Sequence, residues 1–448
     1  MYQFVVDLSK CVGCSACSLA CKVENKLSAG VSWRTVFTFN QSENTRLIKY
    51  YLPLACNHCE EPACMAACPC DAYSRDEETG AIILDSNVCM GCGYCAWACP
   101  YDAPQLNPST GVMEKCTFCN HKMKHGALPA CVEACPTNAL RVEEINSPSP
   151  PSDVPGFPNQ GLKPKIRFLE TRYTHTSFQE RSGTTQSLVE PPIPVPTPKV
   201  VLRHEWPLFV FTSVAIGVVS LSIVSLFDHS ILNALVLLTG GVLGLLVSFF
   251  HLGKKSKALG GSRNIQTSWL SREVSLYPLF LLLTGISFLF DTVPALLTLF
   301  TLLVGLGVFL TIDMLYLLPN RLWKAQNHIF SFASVSGLYI IAFVSFQELS
   351  SFLLTTRLLI YFFKLFLLHK SNSHVQPSLI FLRLLAGFIF PMLLLLYTPP
   401  PTFFLISLTS VLLGELVERL ELYIHLDYLS VPMEIFKTES FLLGACSE

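Results

Sequence analysis

Residues 89–100 read CMGCGYCAWACP, placing Cys89, Cys92, Cys95 and Cys99 at C-x2-C-x2-C-x3-C spacing with Pro100 behind the last thiol. A tight loop bearing three thiolates can wrap three corners of an iron–sulfur cubane. The fourth cysteine, opening the next helix, points away to the partner cluster of a two-cluster ferredoxin unit. The pattern recurs with variations at Cys11, Cys14, Cys17 and Cys21; at Cys56, Cys59, Cys64 and Cys68; and at Cys116, Cys119, Cys131 and Cys135, where eleven residues separate the middle pair. Three of the four groups close on Cys-Pro, and the first departs from this with Lys22. Paired C-x2-C units also build zinc sites, but such sites rarely run C-x2-C-x2-C-x3-C-P, and four complete copies fit zinc poorly. Sixteen ligands predict four [4Fe–4S] clusters and no three-iron cluster.

Two further thiols fall outside the pattern. Cys70 is expected on a helix after Cys68 as a buried bystander, and Cys446 as a free thiol. The runs Val36–Phe39, Lys49–Leu54 and Ala81–Leu84 read as strands of hairpins near the clusters. Gly13, Gly91 and Gly93 let backbone approach a sulfide closely. The segment His121–His125 (HKMKH) reads as a solvated loop rather than a docking patch.

The chain has 448 residues and a formal net charge of −1, so no polybasic footprint points to nucleic acid. Of its 18 cysteines, all but Cys446 precede residue 136. A secreted disulfide scaffold would be short and led by an apolar leader. The opening MYQFVVDLSKC has none, which predicts thiols held reduced until metal captures them.

Residues 146–203 form a proline-rich linker, with 11 of the 29 prolines between 146 and 200. Such a stretch buries little apolar surface and is expected to strap across the surface, with Pro191–Pro198 extended and stiff. Eight apolar segments follow, at about 206–227, 231–252, 274–290, 294–318, 328–346, 352–369, 378–397 and 402–421. Most approach the ~20 residues that cross a bilayer. The expected division is therefore a cluster domain over 1–145, the linker, a membrane anchor over 204–425 and a C-terminal tail over 426–448. The fold class is an α+β ferredoxin-like four-cluster domain, built from two dicluster units, followed by an all-α domain of eight transmembrane helices.

An even number of spans returns the C-terminus to the cluster side. Loops on that side hold Lys254, Lys255, Lys257, Arg263, Arg272, Arg321, Lys324 and Lys370; those on the far side hold Asp228, Asp291 and Glu348, with Arg357 the one basic residue near that face. The positive-inside rule then puts the cluster domain on the cytoplasmic side of the cytoplasmic membrane. Ionisable residues within spans are functional candidates. His251, Glu273 and Glu415 are expected to form a quinol site at the cluster-side end, although Glu415 and Arg419, spaced i, i+4, could instead pair with each other. Asp313 and Lys364 are less readily placed. Arg321–Trp323 is the next candidate region for the site.

The cysteine half closely resembles the iron–sulfur subunit of the dimethyl sulfoxide reductase family. The matching text is CVGCSACSLACK, VSWRTVF, CNHCEEPACMAACP, CMGCGYCAWACPYDAPQ, KCTFCNHKM and CVEACPTNAL, covering residues 4–142 nearly without gaps. The resemblance implies crossed ligation. Cys11, Cys14 and Cys17 would share a cluster with Cys135, and Cys116, Cys119 and Cys131 with Cys21. Cys56, Cys59 and Cys64 would take Cys99, and Cys89, Cys92 and Cys95 would take Cys68. The second half resembles, more weakly, the family's membrane anchor in HEWPL (204–208), HLG (251–253), Ser-Arg-Glu (271–273), YLLPNRLW (316–323) and LLGEL (412–416). The family's quinol-associated histidine maps to His251.

The resemblance implies a separate molybdopterin-containing catalytic subunit, menaquinol or another quinol as exchangeable donor, and lipid and the quinone pool as surroundings. Its well-known members hold their cluster subunits outside the cytoplasmic membrane, against the charge bias here. Two other functions compete: a membrane-tethered ferredoxin relay between soluble carriers and quinone, and an ion-translocating module. The second would need charged residues at mid-membrane on several spans, whereas the sequence is expected to gather them at one end.

Overall fold

The computed structural model describes residues 1–41, 48–145, 154–158, 161–169, 196, 199–226, 231–290, 292–317, 331–346, 349–370, 376–396, 401–426, 428 and 430–445. Most of Pro191–Pro198, with Asp228, Asp291, Arg321–Trp323, Lys324, Glu348 and Cys446, lies outside them.

The cysteine half is closed by its first strand. β1 (Tyr2–Asp7) sits between two partners, which explains its unbroken apolar run Phe4-Val5-Val6, buried on both faces. Three hairpins follow: β2 (Thr35–Phe39) with β3 (Tyr50–Leu54), β4 (Tyr73–Arg75) with β5 (Ile82–Leu84), and β6 (Gln105–Asn107) with β7 (Val112–Glu114). The first two hairpins contain the three strand runs anticipated above. β8 (Leu140–Glu144) pairs antiparallel with β1, and β9 (Ile166–Leu169) pairs parallel with it.

Five short helices follow the cysteine loops: α1 (Ala16–Glu24), α2 (Ala63–Ala67), α3 (Tyr94–Ala98), α4 (Asn120–Met123) and α5 (Ala130–Glu133). α1, α3 and α4 start after a residue with positive φ, namely Ser15, Gly93 and Cys119. The expectation that the fourth cysteine opens a helix is corrected. Cys68 and Cys99 end α2 and α3 with extended backbone, because the proline that follows disfavours a helical conformation at the residue before it. Cys70 accordingly lies in a turn, not on a helix.

The strap is also corrected where it is described. Val154, Phe157, Ile166 and Phe168 are buried in the cysteine-domain core, and Lys165 N–H donates to the Asn57 carbonyl at 2.9 Å. Ile166 and Phe168 alternate inward as β9, so this domain continues to residue 169. The tail folds back onto the same domain. Its helix, α15 below, places Val431 and Ile435 in that core, and Val431 N–H donates to Asp102 Oδ2 at 2.9 Å.

Between them lies a helical bundle: α6 (Leu202–Ser225), α7 (Ile231–Ser248), α8 (Trp269–Ser287), α9 (Ala295–Leu317), α10 (Ala333–Ser345), α11 (Ser350–Lys370), α12 (Pro377–Leu384), α13 (Phe390–Leu396) and α14 (Pro401–His425), ahead of α15 (Val431–Ala445). A π-turn over Leu385–Ile389 joins α12 to α13 just before Pro391, which has no N–H to continue the ladder. Among the described residues, five helices are long and apolar enough to span a bilayer: Leu202–Ser225, Ala234–His251, Ala295–Leu317, Ser350–His369 and Pro377–Leu394. Ala333–Ser345 is apolar but shorter. The expected eight spans are therefore not reached by this measure; α14 carries Glu415, Glu418, Arg419 and Glu421 within two turns.

Candidate functional site

The sixteen patterned cysteines come together as crossed sets. One cavity is lined by Cys56, Cys59, Cys64 and Cys99, and another by Cys11, Cys14, Cys17 and Cys135. Cys21 lies in electrostatic range of Cys119 and Cys131, and Cys116 of Cys21. Cys68 lies in range of Cys89, and Cys92 and Cys95 of both. Backbone N–H groups point at sulfur, from Ala72 to Cys68 at 3.4 Å, Gly91 to Cys89 at 3.4 Å and Phe118 to Cys116 at 3.3 Å. Burial pushes the Cys21 thiol up to about 12 and the Cys99 thiol up to about 11. Free thiols in such places stay protonated, so metal must draw them out as thiolates.

Four thiols line each of those two cavities, three of them from one tight loop and the fourth from a distant group, a donor set that fits an iron–sulfur cubane.

Electrostatic coupling between neighbouring sets gives them an order. Cys95 acts electrostatically on Cys64, Cys56 on Cys116, and Cys131 on Cys17. The row runs from half-buried Cys92, at the seam with the helical bundle, to Cys14, which is exposed. Beside Cys14, the apolar side chains of Val12, Leu19 and Val23 are also exposed. His121–His125, read as a solvated loop, includes α4, and three of its side chains are paired within the domain. His121 meets Glu24 at 2.9 Å, Lys122 meets Glu133 at 2.6 Å, and Lys124 meets Asp76 at 2.5 Å.

The basic loop after α7 grips the cysteine domain. Lys254 N–H donates to Met90 O at 2.9 Å, Asn264 Nδ2 to Cys68 O at 2.9 Å, Ser268 Oγ to Ala67 O at 2.8 Å and Lys257 Nζ to Ser86 O at 2.9 Å. Gly91, Gly111 and Gly253 meet backbone to backbone, and a Cβ on Gly253 would overlap the Gly111 carbonyl oxygen. From the other side, Tyr94 Oη donates to Leu315 O of α9 at 2.9 Å.

A cavity of about 90 Å³ opens at this seam. Its lining is mostly apolar and includes Cys92, Tyr94, His251, Glu273, Tyr277 and Tyr316. His251 Nδ1 bonds to the Ser248 carbonyl, which can only accept. Nδ1 therefore carries the proton, and Nε2 is left as an acceptor. Behind the cavity, Tyr316 and Tyr423 share a hydroxyl hydrogen bond, and Tyr423 reaches Thr212 Oγ1 at 3.4 Å.

Of the three expected quinol-site residues, His251 and Glu273 line this cavity and Glu415 does not. Glu415 binds Arg383 Nη2 at 2.6 Å and Arg357 Nη2 at 2.8 Å, not Arg419. Glu418 joins the same guanidinium groups at 2.7 and 3.1 Å and Lys364 at 3.6 Å; Lys364 also meets Glu421 at 2.8 Å. The close glycines Gly387 and Gly414 sit against Arg383 where α14 crosses the π-turn. The expectation that charges gather at one end is thus corrected. Arg357, placed near the far face, reaches Glu415, because carboxylates buried this deeply need cationic partners. Asp313 caps α10 instead, accepting from Ala333 N–H at 2.5 Å and Ser334 N–H at 3.0 Å.

Sequence reasoning missed Arg383, a lone charge in the apolar run LIFLRLLAGF, and the tyrosines Tyr94, Tyr316 and Tyr423. The position of Arg383 was a usable signal; the tyrosines carried none.

A family profile described as "4Fe-4S dicluster domain" matches residues 47–145. A chain of the anaerobic dimethyl sulfoxide reductase of Escherichia coli (strain K12) is 43% identical over 147 residues, covering 31% of the present chain and 71% of that protein. Its counterpart in the same enzyme from Haemophilus influenzae is 35% identical over 184 residues, 36% of the present chain and 89% of that one. A tetrathionate reductase subunit of Salmonella typhimurium is 38% identical over 149 residues, 33% and 59%. With its cysteine sets and these relatives, this protein belongs to the dimethyl sulfoxide reductase family of iron–sulfur electron-transfer subunits.

Proposed function

We propose that this chain is the electron-transfer and quinol-binding subunit of a membrane-bound molybdopterin oxidoreductase, with both tasks on one polypeptide. The single observation that carries the reading is the cavity at the seam, where Cys92 stands on one wall and His251 and Glu273 on another. Quinol oxidation releases electrons and protons at one place, and this cavity offers an outlet for each. His251 Nε2 accepts a hydrogen bond from the ring hydroxyl. Glu273 takes the proton onward, and the Tyr316–Tyr423 pair offers a hydroxyl path away from the cavity. Tyr277 and the apolar walls hold the ring. The four sets of cysteines would hold [4Fe–4S] clusters, which store and pass single electrons.

The order of the sets makes Cys68, Cys89, Cys92 and Cys95 the first ligands electrons meet, and Cys11, Cys14, Cys17 and Cys135 the last. Exposed Cys14, with Val12, Leu19 and Val23 around it, suits docking of a molybdopterin catalytic subunit there. The basic loop against the cysteine domain supports a cytoplasmic position for that domain in the cytoplasmic membrane.

Purifying the intact complex tests this reading. About sixteen iron atoms per chain and a co-purifying molybdopterin subunit are expected. Stoichiometric zinc would contradict the cluster assignment, and a complex without molybdenum would favour a tethered ferredoxin relay.

A further inference from the structure

Arg34 is the largest fully buried side chain of the cysteine domain, with 2% of its surface exposed. It lies in the run VSWRTVF, a single charge among apolar and β-branched neighbours. Its guanidinium rests over the Phe4 ring, 4.6 Å from the centroid, and Nη1 donates to the Pro53 carbonyl at 2.6 Å. Among the described residues, Nε and Nη2 are buried without a hydrogen-bond partner. A charged group left this way is costly unless negative charge lies close by. Among the described residues Arg34 has no carboxylate ion partner. Sulfur lies around it: Cys17, Cys21, Cys116 and Cys131 share one buried core with Phe4, the ring it rests over, and all four act on it electrostatically. These four thiols belong to two different sets, and Phe118, tilted against Phe4 with ring centroids 4.5 Å apart, donates its N–H to Cys116.

We propose that Arg34 is a positioning residue shared by two neighbouring clusters, turning its two free N–H directions toward their sulfurs and favouring the reduced state of both. The proposal rests on the four-cluster reading above. Four thiolates on a cubane leave net negative charge, which grows on reduction. A fixed cation in a low-dielectric site stabilises the more negative state, so it raises the potential. Arg34 would hold the far end of the row, next to exposed Cys14, electron-accepting relative to the cavity end.

The test is a redox titration of the intact membrane protein, following each cluster by paramagnetic resonance. It applies once the wild type shows four clusters; fewer would sink the four-cluster reading itself, not the role of Arg34. Arg34→Gln should lower the potentials of the two clusters ligated by Cys11, Cys14, Cys17, Cys135 and by Cys21, Cys116, Cys119, Cys131, leaving the other two unmoved. Arg34→Lys, which keeps the charge, should restore most of the shift. If the Gln protein fails to load those two clusters, loading at near-wild-type potential in the Lys protein supports the proposal equally. The proposal is overturned if all four potentials move together, if none moves, if Lys behaves as Gln does, or if both variants lose the clusters.

Discussion

Cys92 and His251 line one cavity, although one belongs to the cysteine domain and the other lies just past the end of α7. Under the proposed function, that shared cavity makes the Cys68, Cys89, Cys92, Cys95 set the gate for electrons from quinol. Cys92→Ser should alter the resonance of that one cluster and abolish quinol-driven reduction of the other three, with dithionite still reducing them. Undiminished quinol-driven reduction of those three would place the gate elsewhere.

The crossed sets make a second prediction. Cys135 is remote in sequence from Cys11, Cys14 and Cys17 yet lines their cavity. Cys135→Ser should change the spectrum of the cluster those three hold and leave that of Cys116, Cys119 and Cys131 intact. The reverse pattern would contradict crossed ligation.

Gly253 is where the two halves touch most closely. Gly253→Ala pushes a methyl into the Gly111 carbonyl, a steric change of the kind that typically costs about 1–3 kcal/mol. Thermal unfolding of the detergent-purified protein should begin earlier, with limited proteolysis releasing the cysteine domain. Gly217, with open space at its Cβ, serves as the control: Gly217→Ala should leave both measurements unchanged.

The buried ion cluster is expected to be structural first. Glu418→Gln leaves Arg357, Arg383 and Lys364 short of a counter-charge, and breaking one member of a buried pair costs about 3–5 kcal/mol. The variant should unfold at markedly lower temperature, while Lys163→Gln, which breaks the exposed 2.7 Å pair with Glu61, should leave the unfolding temperature almost unchanged. Equal stability of the two variants would contradict this assignment.

The cysteine half was legible because most of its ligand spacing is local: two groups place three thiols within seven residues, and Cys-Pro follows α2 and α3. The hairpin strands were legible from β-branched runs. What escaped was set by packing between distant segments. Phe157 and Ile166–Phe168 looked like part of a solvated strap, because proline content masked a short alternating strand that completes the sheet on β1. Glu415 read as a cluster-side residue by counting along α14. Only the crossing of α11, α12 and α14 brings Arg357 and Arg383 to it. His251 and Glu273 were found together because a single loop joins their helices, whereas Tyr316 reaches the cavity, and Tyr423 backs it, from helices far along the sequence.

The central claim is that quinol hands its electrons to the clusters at His251. Quinol-driven cluster reduction in membranes tests it most directly, with dithionite reduction as the control that bypasses the cavity. His251→Ala should keep all four clusters and normal dithionite reduction but slow quinol-driven reduction by roughly 100-fold or more, with a smaller effect from Glu273→Gln. Wild-type rates of quinol-driven reduction in the His251 variant would contradict the account.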